Sequence, residues 1–198
     1  MNKIFFTALL IISIEGMAQK FKAGFITGLN TSQISGDQIS GYNKLGVKLG
    51  TFINYPLNKN YNLQVELQLS QKGSKKPFIE NSPQTYSFQL NYIEIPISFD
   101  YKVRQFLSLE SGLSFGYLLS YKEENEFGEI RTADPNDIAI DFMLGANHQW
   151  KKNTRINFRY SHSIIPIRPH SSGGKWSLNK GQNSSVISLS LYYQIPVL

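Results

Sequence analysis

Between Tyr61 and Ser70 the chain alternates without a break. Tyr61, Leu63, Val65, Leu67 and Leu69 are apolar; Asn62, Gln64, Glu66, Gln68 and Ser70 are polar. Successive side chains of a strand point to opposite faces, so this segment predicts a strand with one dry face and one wet face. Its length, about ten residues, is what a tilted strand needs to cross a bilayer. The same period recurs over 21–30, 45–55, 86–101, 106–120, 138–150, 154–164 and 185–195. In 86–101 the apolar parity moves from Tyr86, Phe88, Leu90 and Tyr92 to Ile93, Ile95, Ile97, Phe99 and Tyr101. That shift predicts a bulge near Tyr92, or a strand that begins there. Pro96 falls on the polar parity and removes one ladder donor.

The connections alternate in length. Segments 56–60, 102–105 and 151–153 are compact turns, whereas 31–44, 71–85, 121–137 and 165–183 are long polar loops. Short turns at one end and long loops at the other are the asymmetry of outer-membrane barrels. Two further features agree. The polar face is rich in small residues, such as Gly24, Gly28, Gly46, Gly50, Gly112 and Gly116. Small residues fit the narrow, side-chain-filled interior of an eight-stranded barrel. Aromatics gather at strand ends, with Tyr55, Tyr61, Tyr101, Phe106 and Trp150 near the turns and Tyr86, Tyr117 and Tyr121 near the loops. That is the placement of interfacial girdles. A soluble lipocalin-like barrel would alternate identically with the sense reversed, and these three features weigh against it. The predicted fold is all-β: an eight-stranded antiparallel up-and-down transmembrane barrel with short periplasmic turns and long extracellular loops.

Charge on the polar face then becomes informative. Lys22, Lys48, Arg155 and Arg159 share that parity with Glu66, Glu94, Asp100, Glu110 and Asp141. An unpaired charge inside a narrow barrel is very unfavourable. The near balance of signs predicts a structural ion-pair network that plugs the lumen, in place of an ion or substrate path. Glu66 is expected beside Lys48 or one of the arginines.

Composition adds limits. The 198 residues include no Cys, which excludes a disulfide framework, a thiol nucleophile and a thiolate metal site. Charged residues make up 17%, against ~25% in a usual soluble domain. The net charge of +6 comes from scattered Lys and Arg, so no nucleic-acid partner is expected. The N-terminus reads as a signal peptide over 1–18: Lys3, an apolar core from Ile4 to Ile14, and the small residues Gly16 and Ala18 before a cut at Gln19. The barrel domain is then 19–198, delivered to the cell outer membrane.

Catalytic or cofactor chemistry finds little support. His148, His162 and His170 match no metal spacing. Ser161-His162-Ser163 suggests a hydrolase on a barrel, but no acidic orienter is identifiable and His162 has the lipid-facing parity. Gly173-Gly174-Lys175 lies in a loop between strands and precedes no helix, so it is not a phosphate loop. No cofactor, metal or catalytic residue is predicted.

Leu90-Asn91-Tyr92-Ile93-Glu94-Ile95-Pro96-Ile97 is the most specific stretch. With Met17-Ala18-Gln19, the first strand from Ala23 to Asn30, Arg159-Tyr160-Ser161 and Ser188 to Tyr193, it resembles the PorT-like outer-membrane β-barrel family of Bacteroidota. The resemblance implies an eight-stranded outer-membrane barrel. Most of the family has no assigned activity, and the branch that gives the name takes part in protein secretion. Such barrels usually end in an aromatic residue, whereas this chain ends Ile195-Pro196-Val197-Leu198. The function expected is a structural and binding scaffold that contacts outer-membrane lipid. It would meet any protein partner through loops 121–137 and 165–183. A narrow porin or transport component, an accessory protein of a secretion system, and a lipid-modifying enzyme are the alternatives.

Overall fold

A computed structural model describes residues 21–37, 39–76, 85–169 and 181–196. The predicted signal segment, His170 and Gly173-Gly174-Lys175 lie outside the described residues. The long strands are β1 (Lys22–Ser35), β2 (Lys44–Pro56), β3 (Tyr61–Lys76), β4 (Tyr86–Arg104) and β5 (Leu107–Asn125). They continue as β7 (Ile138–Lys151), β8 (Thr154–Ser163) and β10 (Gly181–Gln194). Two short pieces, β6 (Gly128–Glu129) and β9 (Arg168–Pro169), pair with β5 and β10. Each long strand pairs antiparallel with its neighbour in chain order. Pairing of β1 with β10, from Gly24↔Gln194 to Ser35↔Asn183, closes the barrel. The eight-stranded antiparallel barrel read from the alternation is therefore the fold.

Burial runs opposite to that of a soluble protein. Leu67 is 50% exposed on the outside, while its neighbour Glu66 is 1% exposed within. The same contrast holds along every long strand. The outer surface carries Leu29, Val47, Leu69, Phe99, Leu113 and Phe158, and the buried set is dominated by Ser, Asn, Gln and charged residues. A continuous apolar exterior of this kind is matched to hydrocarbon, and closure leaves no unpaired sheet edge inside the bilayer. Near the short turns, Tyr61 and Tyr101 pack with ring centroids 5.1 Å apart and Trp150 is exposed.

Several strands run further than the alternation suggests. β1 continues from Asn30 to Ser35, β3 from Ser70 to Lys76, β4 from Tyr101 to Arg104 and β5 from Ser120 to Asn125, and β10 begins at Gly181, before Ser185. Residues 72 and 74 keep the inward parity of Gln68 and Ser70, and both are buried. Polar residues read as loop because an inward-facing polar run has the composition of one. In a barrel with a polar lumen it is still strand.

The parity change in 86–101 has a different origin from the one predicted. β4 keeps one parity throughout: Phe88, Leu90, Tyr92, Glu94, Ser98 and Asp100 all point inward. The slip lies in β5, where Asn91 pairs with Ser120 but Tyr92 pairs with Leu118, leaving Leu119 as the extra residue. Beyond it, Glu123 becomes inward-facing. The bulge thus sits beside Tyr92 on the partner strand. Phe88, Leu90 and Tyr92 join Ile34, Leu118, Ala139 and Ile167 in an apolar layer inside the lumen, just below the long loops. Opposite Pro96 the β3–β4 ladder is interrupted between Val65↔Ile97 and Gln68↔Glu94, as loss of a backbone donor requires.

Candidate functional site

The lumen is filled in layers. At its centre Arg159 of β8, 1% exposed, is held by two carboxylates. Its Nη1 donates to Glu66 Oε2 at 3.0 Å and its Nη2 to Glu66 Oε1 at 2.7 Å. Its Nε donates to Glu110 Oε1 at 2.6 Å. The Tyr192 hydroxyl donates to Glu66 Oε1 at 3.0 Å, and Asn157 Nδ2 donates to Glu110 Oε1 at 2.8 Å. Two-toothed Arg–carboxylate bonding of this kind is the geometry in which a buried pair offsets its desolvation. Gly145 faces the cluster across β7. A Cβ there would lie 2.5 Å from Glu110 Oε1, so only glycine leaves room for the carboxylate.

A second layer lies toward the long loops. Lys72 Nζ sits 2.9 Å from Glu94 Oε1, 2.7 Å from Asp141 Oδ2 and 4.5 Å from the centre of the Tyr92 ring. Gln68 Nε2 donates to Glu94 Oε2 at 2.9 Å. The Tyr-x-Glu-x-Pro positions of β4 therefore all point into the lumen, and two of them grip one lysine. Lys72 lies in the stretch 71–85 that composition predicts as loop. Its even parity with Gln68 and Ser70 was the signal that could have found it.

Toward the short turns, Arg155 is 3.5 Å from Asp100 and donates to Gln64. Its guanidinium stacks between the rings of Phe52 and Tyr192 at 5.2 and 4.5 Å. The structure thus brings Glu66, Glu110 and Arg159 into one group, Glu94 and Asp141 into a second around Lys72, and Arg155 beside Asp100. Lys48 donates to Ser188 Oγ at 3.2 Å, and Glu66 takes Arg159 as its partner instead. Lys22 is exposed at the barrel end, because as the first residue of β1 it reaches past the lumen into the mouth.

Among the described residues the layers leave an opening at each end and a small void between them. The void beside Lys48, Glu94, Asp141 and Arg159 measures about 10 Å³, space for about one water. At the long-loop end a cleft of about 710 Å³ opens, and at the short-turn end a cup of about 410 Å³.

A further knot ties the long loops down. Glu123 accepts from the Tyr86 hydroxyl at 2.5 Å, from Thr132 Oγ1 at 2.9 Å and from Arg168 Nη1 at 3.0 Å. Arg168 also donates to Gln182 at 2.9 Å and lies over the Phe88 ring at 4.5 Å. Asn136 bonds the Ile167 and Pro166 carbonyls at 2.7 and 2.8 Å. Two loops are thus joined above the apolar layer. Tyr86 and Tyr121, read as girdle aromatics, turn to this assembly: Tyr86 bonds Glu123, and Tyr121 packs on Phe88 and bonds Asp134. At the cleft edge, partial burial raises the Asp37 carboxyl above its usual range despite the bond from the Ile39 amide.

His162 Nδ1 lies 2.8 Å from Ser185 Oγ. Among the described residues no carboxylate is hydrogen-bonded to His162, so the pair lacks the orienting acid of a triad. No group of His, Cys, Asp and Glu suited to a metal occurs among the described residues.

A closed eight-stranded barrel with an apolar exterior and a filled polar lumen belongs to the outer-membrane class of small β-barrels. The chain belongs to the outer membrane protein beta-barrel domain family, whose sequence model matches residues 17–168. Among solved structures it is similar to Neisserial surface protein A (NspA), with 12% identity, 89% of this chain and 97% of that chain covered, and a TM-score of 0.54. It is also similar to Ail, the attachment invasion locus protein of Yersinia pestis, with 14% identity, 89% and 99% covered, and a TM-score of 0.52. At these identities the likeness is one of fold. No curated protein matches the sequence.

Proposed function

We propose that this protein is a sealed barrel that works as a binding scaffold at the long-loop end, with the ion-paired lumen as a rigid stem. The observation that carries the reading is the lumen itself. Among the described residues the two open ends are separated by the Arg159 and Lys72 clusters, beside which the void measures about 10 Å³, room for a water and not for a solute. The cleft between the tied loops is then the concave surface the fold offers to the exterior. Ail, which shares the fold, has been solved with the heparin analogue sucrose octasulfate. The Tyr92, Glu94 and Pro96 motif supports a resemblance to the PorT-like family, and Lys3, the apolar run 4–14 and the small residues Gly16 and Ala18 support a signal peptide over 1–18 that sends the chain to the outer membrane.

Single-channel recording in planar bilayers tests the scaffold reading against a narrow porin. The purified barrel is expected to insert silently. Reproducible stepwise conductance would replace the scaffold with a pore.

A further inference from the structure

The cup at the short-turn end carries a charge pattern that the lumen network does not use. Its lining includes five cations, Lys22, Lys59, Lys102, Arg104 and Arg155, and one carboxylate, Asp100. Asp100 is already matched to Arg155 at 3.5 Å, so four cations are left without a matching acid in the cup. The long-loop cleft is different: there Lys76 and Arg168 meet Asp37, Glu123 and Glu126. Among the described residues that line the two cavities, the excess of positive charge is therefore confined to the short-turn cup.

The cup is also built. Arg155 forms part of its floor, pinned between Phe52 and Tyr192, and its Nε is buried with no hydrogen-bond partner. Below it the Arg159 cluster closes the lumen, so the cup is blind. Lys59, Lys102 and Arg104 come from the short turns and adjoining strand ends and stand exposed at the rim. Amide side chains, including Asn58 and Gln105, add donors between them. A volume of about 410 Å³ suits a small ligand. Low-dielectric walls around charges of one sign concentrate counter-ions of the other.

We propose that this mouth, which faces the periplasm if the short turns do, is a binding site for phosphate-bearing anions. Rim cations capture the anion, and the fixed Arg155 guanidinium sets the depth to which it enters. Phosphate can arrive on a soluble metabolite or as a lipid headgroup of the adjoining leaflet, and the chemistry of recognition is the same.

The test uses the full mature barrel in zwitterionic micelles, titrated calorimetrically with pyrophosphate. One saturable site is expected, weakened with rising salt. The double variant Lys102→Gln with Arg104→Gln is expected to weaken it about tenfold or more, while Arg131→Gln at the opposite end leaves it unchanged. Heat-modifiable migration confirms that each variant is folded. Repeating the titration in phosphatidylcholine nanodiscs with and without phosphatidylglycerol separates the sources. Lost pyrophosphate affinity in the anionic discs assigns the site to lipid headgroups; retained affinity assigns it to soluble phosphate. Absence of saturable binding in micelles, or binding indifferent to the double variant, overturns the proposal.

Discussion

Two arginines with almost the same chemistry sit at different heights in the barrel. Arg159 is gripped by Glu66 and Glu110, carried on β3 and β5, with Tyr192 of β10 beside it. Every partner comes from a barrel strand, and the register of the sheet fixes every distance. Arg168 also meets a buried glutamate, Glu123, but its other partners include Thr132 of a long loop and Gln182 at the start of β10. The first is a bolt through the stem. The second is a clasp between loops. An identical ion pair thus rigidifies the fold or merely shapes a surface, depending on whether its members sit at mid-barrel or at the loop end, where a loop residue such as Thr132 shares the bonding.

Substitution should separate the two. Arg159→Met leaves Glu66 and Glu110 facing each other with no cation between them. Breaking a buried pair from one side costs about 3–5 kcal/mol. Urea titration of the folded barrel in detergent should show this loss, and an unchanged midpoint would remove the bolt from the account. Arg168→Met leaves Glu123 with the Tyr86 and Thr132 hydroxyls, so the expected cost is smaller, about 1 kcal/mol. Its main effect should be faster proteolytic cleavage between residues 126 and 137 while the barrel stays intact. Equal losses for both variants would erase the distinction.

The direction of the barrel wall was legible because Tyr61 to Ser70 alternates cleanly and loop lengths differ by end. The central cluster was legible in part: parity placed Glu66, Glu110 and Arg159 on one face, but the choice of Arg159 over Lys48 depends on cross-strand register. Lys72 was hidden by polar neighbours that look like a loop. Phe88, Leu90 and Tyr92 were hidden for the opposite reason, since apolar residues were assigned outward and these fill the lumen. The even positions of β4 face inward throughout, but the lumen they face is apolar at 88–92 and polar at 94–100, and alternation alone does not reveal that change of lining. The Glu123–Arg168 clasp joins residues 45 apart in sequence, from the end of β5 and the short β9, both within stretches whose composition predicts loop.

The central claim is that the apolar parity faces lipid and the polar parity faces a sealed interior. The chain has no Cys, so single cysteines can be placed and spin-labelled along β3 without background. Accessibility to dissolved oxygen in bilayers, measured from position 62 to position 70, gives the direct test. Oxygen contact is predicted to peak at 63, 65, 67 and 69 and to fall at 62, 64, 66, 68 and 70. Peaks on the even positions, or no two-residue period, would contradict the account.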